Sequence, residues 1–123
     1  AHIIDLMPTI NEIAGATYPG KIHLPGESLV PIFRGDAPEP RTLYFEHESN
    51  RAILEGPWKL VALKQQDWEL YDVNRDRTEL KNLAASHPDT VKNLAAKWDA
   101  WAAANRVTPL PRDYGVKYLK PLD

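Results

Sequence analysis

Apolar positions change their spacing along the chain, and each spacing predicts a different element. Ile4, Met7, Ile10 and Ile13 recur every three residues near the start, which predicts a short helix over residues 6–14 with one apolar stripe. Asp5 is placed to N-cap it, Pro8 falls in the permissive first turn, and Gly15 suits the stop. That stripe requires a partner. Residues 18–41 hold Pro19, Pro25, Pro31, Pro38 and Pro40 with Gly20, Gly26 and Gly35 around one apolar run, Leu29 to Phe33. This stretch is expected to be extended and loop-rich.

The pattern then shortens to a period of two. Leu43 to Glu48 alternates apolar and polar residues, Ala52 to Leu54 is a second apolar run, and Gly56-Pro57 makes a turn. Trp58 to Leu63 and Trp68 to Val73 follow as segments rich in aromatic and branched residues, with the polar Lys64 to Asp67 between them. Links this short join antiparallel neighbours, so the block predicts a four-stranded meander with one face to be covered. Ser86-His87-Pro88-Asp89 carries a Ser-x-x-Asp helix start, and Val91, Leu94, Ala95, Trp98, Trp101 and Ala102 repeat at three and four through to about Asn105. Trp98 and Trp101 read as core on that periodicity. The predicted class is α+β: a four-stranded antiparallel sheet with one long C-terminal helix packed on it, preceded by a short helix and a loop-rich segment. After Asn105, Pro109, Pro111 and Pro121 mark a tail over 109–123 that is expected to wrap a surface or fray.

A chain of 123 residues affords one hydrophobic core. Fifteen Lys and Arg against seventeen Asp and Glu, with no long run of either sign, give no footprint for nucleic acid. No apolar stretch approaches the roughly 20 residues of a membrane span, so no membrane partner is expected. Cysteine is absent, which removes disulfides, thiolate metal sites and a cysteine nucleophile. Ala1-His2-Ile3-Ile4-Asp5 has neither an initiator Met nor a basic leader, and reads as the middle of a longer protein.

Candidate chemistry is sparse. Asp72-Val73-Asn74-Arg75-Asp76 opens like a calcium loop, but Arg77 and Leu83 stand where such a loop needs Gly and a bidentate Glu, so a polar turn is the better reading. His2, His23, His47 and His87 make no His-x-x-x-His pair, and Gly26-Glu27-Ser28 is not continued into a nucleophile elbow. His47-Glu48-Ser49-Asn50-Arg51, at the predicted hairpin between the first two strands, is the densest polar cluster. It is either a solvated turn or a place where His47, Asn50 and Arg51 meet an anionic ligand, for which the guanidinium fork of Arg51 is suited.

Three segments taken together resemble the end of an arylsulfatase-type sulfatase, of the alkaline-phosphatase-like superfamily. They are His2-Ile3-Ile4-Asp5-Leu6-Met7-Pro8-Thr9-Ile10 with Ile13-Ala14-Gly15; Tyr44 to Ala52 with Gly56-Pro57-Trp58-Lys59-Leu60-Val61; and Trp68 to Val73 with Asp76, Glu79 and Asn82-Leu83-Ala84. The resemblance implies that residues 1–40 close a large α/β catalytic domain, 41–108 form the C-terminal subdomain, and 109–123 are a Pro-containing tail. It also implies that the complete protein is a sulfuric ester hydrolase with a formylglycine nucleophile, made in a Cys/Ser-x-Pro-x-Arg motif, beside calcium or magnesium. None of that machinery carries over to this chain: Ser86-His87-Pro88 begins the motif, but Thr90 occupies the Arg position.

The expectation is therefore a supporting subdomain without catalytic residues, cofactor or metal, inactive alone. Its partners would be the N-terminal catalytic domain and, through it, a sulfate-ester substrate that His47, Asn50 and Arg51 help to receive. Many members of the family are secreted, periplasmic or lysosomal. The exposed docking surface of the isolated chain is expected to favour self-association. A phosphate or phosphonate ester hydrolase of the same superfamily, and an independent carbohydrate- or protein-binding module, are the competing readings.

Overall fold

A computed structural model describes residues 1–21 and 23–108. The chain divides into two compact units, one of Ala1–Glu39 and one that begins at Pro40. The predicted tail over 109–123 lies outside the described residues.

In the first unit a 3-10 turn, Ile3–Asp5, runs into α1, Leu6–Ala14, which ends at Gly15 with φ 61°. Asp5 occupies the N-cap position of α1, yet its carboxylate makes no cap bond to that helix. It is fully buried and turned backward and outward, accepting the His2 N–H at 2.6 Å and the Glu27 N–H at 3.2 Å. Thr9, also buried, donates to the Asp5 carbonyl at 2.6 Å and accepts the Leu29 N–H at 2.9 Å. These two polar side chains satisfy backbone donors that would otherwise be lost to burial, and so clasp the chain near residue 28 onto α1. Gly26 allows the approach: a Cβ there would stand 2.0 Å from the Ile4 carbonyl oxygen. The segment expected to be extended and loop-rich contains one helical turn, α2, Val30–Phe33, with Pro31 in its first turn. The predicted stripe of α1 is left open, with Met7 49%, Ile10 59% and Ile13 68% exposed.

The second unit is a meander of β1, Thr42–His47, β2, Asn50–Glu55, β3, Trp58–Ala62, and β4, Glu69–Asp72, paired antiparallel in that order. Register aligns Tyr44 with Ile53, Ile53 with Leu60, and Leu60 with Leu70, so one apolar row crosses all four strands. Against that row lies α3, Pro88–Ala104. Ile53, Leu60 and Leu70 have no exposed surface, and Leu94, Trp98 and Ala102 of α3 complete the core. The helix face read from the spacing of three and four is the one turned to the sheet.

The start of α3 differs from the prediction. His87 precedes the helix, Pro88 takes the first helical position, and no side chain caps the N-terminus. Ser86 ends a separate 3-10 turn, Ala84–Ser86, and gives its hydroxyl to the Leu83 carbonyl at 3.0 Å. Proline supplies its own helical φ at that position, so the cap is dispensable. After β4, Asp72 Oδ1 accepts the N–H groups of Asn74 and Arg75 at 3.1 and 3.3 Å, and Asp76 Oδ2 accepts that of Lys81 at 2.9 Å. The acidic run is a turn built on Asp side chains. Among the described residues no helix is long and apolar enough to cross a membrane.

Candidate functional site

The β1–β2 connection is a two-residue turn, Glu48-Ser49, with φ 52° and 69°, and His47 and Asn50 face each other as the last paired residues. Both turn residues lie in the left-handed region, which a tight hairpin demands and which Asn-Gly fills at least cost. Flanking side chains hold it: Glu46 Oε1 accepts the Ser49 N–H at 2.8 Å, and Asn50 Nδ2 donates to the His47 carbonyl at 2.9 Å. Asn50 Oδ1 also accepts the Lys64 N–H at 3.0 Å, tying the hairpin to the end of β3.

The three candidate residues are thus not gathered on one surface. His47 is exposed at the hairpin end, and the Asn50 amide is committed to closing the turn. The pleat sends Arg51 to the other face, the one covered by α3. There its guanidinium carbon lies 4.2 Å from the ring centroid of Trp68 and 5.8 Å from that of Trp98. Those indoles meet edge to face at 6.1 Å, and Trp98 continues to Trp101, which stacks on Tyr44 at 5.2 Å with planes 5° apart. Arg51 borders a cleft of about 260 Å³ with Glu46, Ser49, Lys64, Gln65 and Trp98. Sequence reasoning passes over Trp68, Lys64 and Gln65 as sheet and linker. Only the register of β2 against β3 and the seat of α3 bring them to Arg51.

The opposite face carries an apolar groove of about 490 Å³ lined by Phe45, Ala52, Leu54, Val61 and Val73, with the Lys59–Glu79 ion pair at its side. The Glu55 and Asp76 carboxyls are held below the ordinary carboxylate range. Lys97 and then Thr42 hydrogen-bond Glu55, and the N–H groups of Lys81 and Leu80 lead the donors to Asp76. Burial first, and the bond to Glu69 second, push the Tyr71 phenol up.

Ser86 Oγ lies 2.9 Å from His87 Nδ1, but among the described residues no carboxylate orients that imidazole. No group of three His, Cys, Asp or Glu among the described residues could hold a metal ion. Residues 1–102 match the family described as N-sulphoglucosamine sulphohydrolase, C-terminal. The chain belongs to this C-terminal sulfatase family. It is similar to an uncharacterised sulfatase of Schizosaccharomyces pombe, 31% identical, covering 91% of this chain and 23% of that protein. A choline-sulfatase of Rhizobium meliloti is 31% identical, covering 78% of this chain and 22% of the relative. The sulfatase domain therefore spans less than a quarter of these relatives. Its fold resembles Ps i-CgsB, solved in complex with k-i-k-neocarrahexaose, with TM-score 0.68 and 23% identity over 93% of this chain and 27% of that one. It also resembles a phosphonate monoester hydrolase of Agrobacterium radiobacter, with TM-score 0.59 and 24% identity over 81% of this chain and 24% of that one.

Proposed function

We propose that this C-terminal sulfatase domain supports the catalytic domain of a sulfuric ester hydrolase, which precedes it in the complete protein, and has no turnover of its own. The family match over residues 1–102 carries this reading. The phosphonate monoester hydrolase shares the fold at 24% identity, whereas both relatives that reach 31% are named sulfatases. That favours sulfate over phosphonate esters as the substrate class.

Residues 1–40 would close the catalytic domain, and the open stripe of Met7, Ile10 and Ile13 would be covered by it. The calcium or magnesium and the formylglycine of the complete enzyme do not fit this chain. There is no Cys, and the one Ser-x-Pro sequence has its Ser86 hydroxyl bonded to the Leu83 carbonyl and Thr90 in place of Arg. They belong to the preceding domain, where they would stabilise charge developing on the sulfate. The hairpin bearing His47, Asn50 and Arg51 would edge the substrate entrance. Of the three, Arg51 has the donors to meet an anion, and Asn50 acts by holding the hairpin's shape.

The test compares this chain with the complete protein on a chromogenic aryl sulfate plus calcium or magnesium, followed by a panel of sulfated sugars and phosphate esters. Turnover of sulfate esters by the complete protein alone is expected. Turnover by the chain, or turnover of phosphate esters only, would overturn the proposal. In the complete enzyme Arg51→Ala should raise KM, and unchanged kinetics would remove Arg51 from the entrance.

A further inference from the structure

The two edges of the meander are not alike. The β1–β2 turn has two residues, both with positive φ, so His47 and Asn50 exchange main-chain bonds, and the alternation of an antiparallel ladder gives Phe45 and Leu43 the same role. Thr42, Tyr44 and Glu46 fall between them and aim their main-chain N–H and C=O groups away from β2. The same alternation, carried across the sheet, turns the main-chain groups of Leu70 in β4 outward. There the outward groups are met: the Leu70 N–H donates to Asn82 Oδ1 at 3.2 Å, and its carbonyl accepts the Leu83 N–H at 2.7 Å. At β1 no group among the described residues meets the outward main-chain groups of Thr42, Tyr44 and Glu46.

An open edge offers a row of donors and acceptors to another strand, and proteins that stay monomeric guard it with Lys, Pro or a bulge. β1 contains no Lys and no Pro, and its register with β2 runs unbroken from Thr42 to His47. The α3 backbone lies nearest β2 and β3, so it stands back from this edge. The edge is also complementary to itself. Antiparallel pairing with β1 of a second copy, centred on Tyr44, sets Thr42 opposite the partner's Glu46 and Tyr44 opposite the partner's Tyr44. That register satisfies every outward group of these residues and opposes no like charges. Leu43 then falls beside the partner's Phe45 at a non-bonded position, where cross-strand side chains come closest. A register setting Glu46 against the partner's Glu46 would pair like charges and leave Tyr44 outside the ladder.

We infer that the outer edge of β1 is an interface for a second copy of this chain, which joins two four-stranded sheets into one across a two-fold axis at Tyr44. The pairing keeps both α3 helices on the same face of the joined sheet. An edge contact of this kind is small, so the pair is weak and forms as concentration rises. It requires neither turnover nor a catalytic domain, and its failure is separate from a failure of the sulfatase reading.

The experiment follows backbone amide exchange in the 123-residue chain by NMR as concentration rises. The Phe45 N–H, paired with β2, is the internal reference for an intact sheet and stays protected throughout. The Tyr44 and Glu46 N–H groups should exchange freely in dilute solution and slow roughly fivefold or more between about 0.02 and about 1 mM, the range suited to a small interface. The slowing should persist with Ile10→Lys and Ile13→Lys together, which separates it from association through α1. Leu43→Lys puts a charge beside the partner's Phe45, and Thr42→Pro removes a donor that β2 does not use, so each should abolish the slowing with Phe45 still protected. Leu80→Lys, at a residue 85% exposed beyond β4, should leave it unchanged. Exchange at one rate at all concentrations would overturn the inference, because the edge would then stay open if the rate is fast, or be covered by this chain itself if it is slow. Slowing that survives both Leu43→Lys and Thr42→Pro, or that disappears with Ile10→Lys and Ile13→Lys, would overturn it as well.

Discussion

Trp98 in α3 donates its indole N–H to the main-chain carbonyl of Phe45 in β1, 3.0 Å away. The residue that fills the core thus also fixes the helix against an edge strand, because a buried indole N–H needs an acceptor and only one helix position offers this one. Trp98→Phe keeps an aromatic ring and deletes the donor, leaving the Phe45 carbonyl short of that partner. We expect a loss of about 1 to 2 kcal/mol, read from the shift of the urea midpoint. Trp98→Ala adds a cavity and should cost about 3 to 5 kcal/mol. A Phe variant as stable as the parent chain would show that the bond contributes nothing net.

The Glu48-Ser49 turn holds two non-glycine residues at φ 52° and 69°. Each left-handed residue with a side chain costs roughly 1 to 2 kcal/mol, less for residues that bond locally. The double substitution Glu48→Asn with Ser49→Gly installs the pair that such a turn favours, and it retains the contact to Glu46 because the donor there is a backbone N–H. The double variant should gain on the order of 1 kcal/mol and melt a few degrees higher. A lower melting temperature would mean that the side chains of Glu48 and Ser49 contribute more than the backbone strain costs.

The meander and α3 are legible in the sequence because their signals are local. Gly56-Pro57 marks a turn, and Leu94, Trp98 and Ala102 fall on one side of any helix drawn through them. The start of α3 departs from its signal because Ser86 and Pro88 compete for the same task, and Pro88, whose φ is fixed, performs it. Asp5 departs for a related reason. Its partner Glu27 is distant in sequence, and no pattern within one turn of α1 announces a backbone donor arriving from there. At the candidate site the polar cluster can be read, but its division cannot. Asn50 and Arg51, being adjacent in the strand, point to opposite faces, but which face each takes depends on where the turn begins, and shifting that by one residue reverses every side chain after it. The Trp68 seat of Arg51 is set by register across β2, β3 and β4, which no spacing in the chain records.

Leu6, Met7, Ile10 and Ile13 are each about half exposed or more, and Phe33 is 68% exposed. So much apolar surface on a short unit is an interface awaiting cover. The isolated chain should therefore associate with itself as concentration rises, seen as a growing mass in light scattering. Ile10→Lys with Ile13→Lys should shift that association to higher concentration without altering the α3 core. A monomer at all concentrations would show that the stripe tolerates water.

Stability should fall away at both ends of the pH scale, for different residues. Lys97 Nζ lies 2.7 Å from both Glu55 oxygens, and the Thr42 hydroxyl donates to one of them at 2.8 Å. These bonds favour the ionised form and hold the Glu55 carboxyl below its ordinary value of 4.5. A carboxyl depressed in the folded state stabilises fully above its unfolded pKa, and that contribution is lost as pH falls through the lower, folded value. The pair is partly exposed, so the effect is modest and diminishes with salt. Tyr71 is buried and its hydroxyl donates to Glu69 at 2.9 Å, so its phenol is raised above the ordinary 10.0. For a group raised in the folded state the sign reverses: its contribution is whole below the unfolded pKa and is lost as pH rises through the folded one. Urea midpoints collected from about pH 3 to about pH 11 should therefore show a plateau with an acid and an alkaline limb. Lys97→Met should make the acid limb shallower, and Tyr71→Phe should make the alkaline limb shallower while leaving the acid limb alone. If either variant changed both limbs equally, the pH dependence would belong to the net charge of the chain instead of to these two residues.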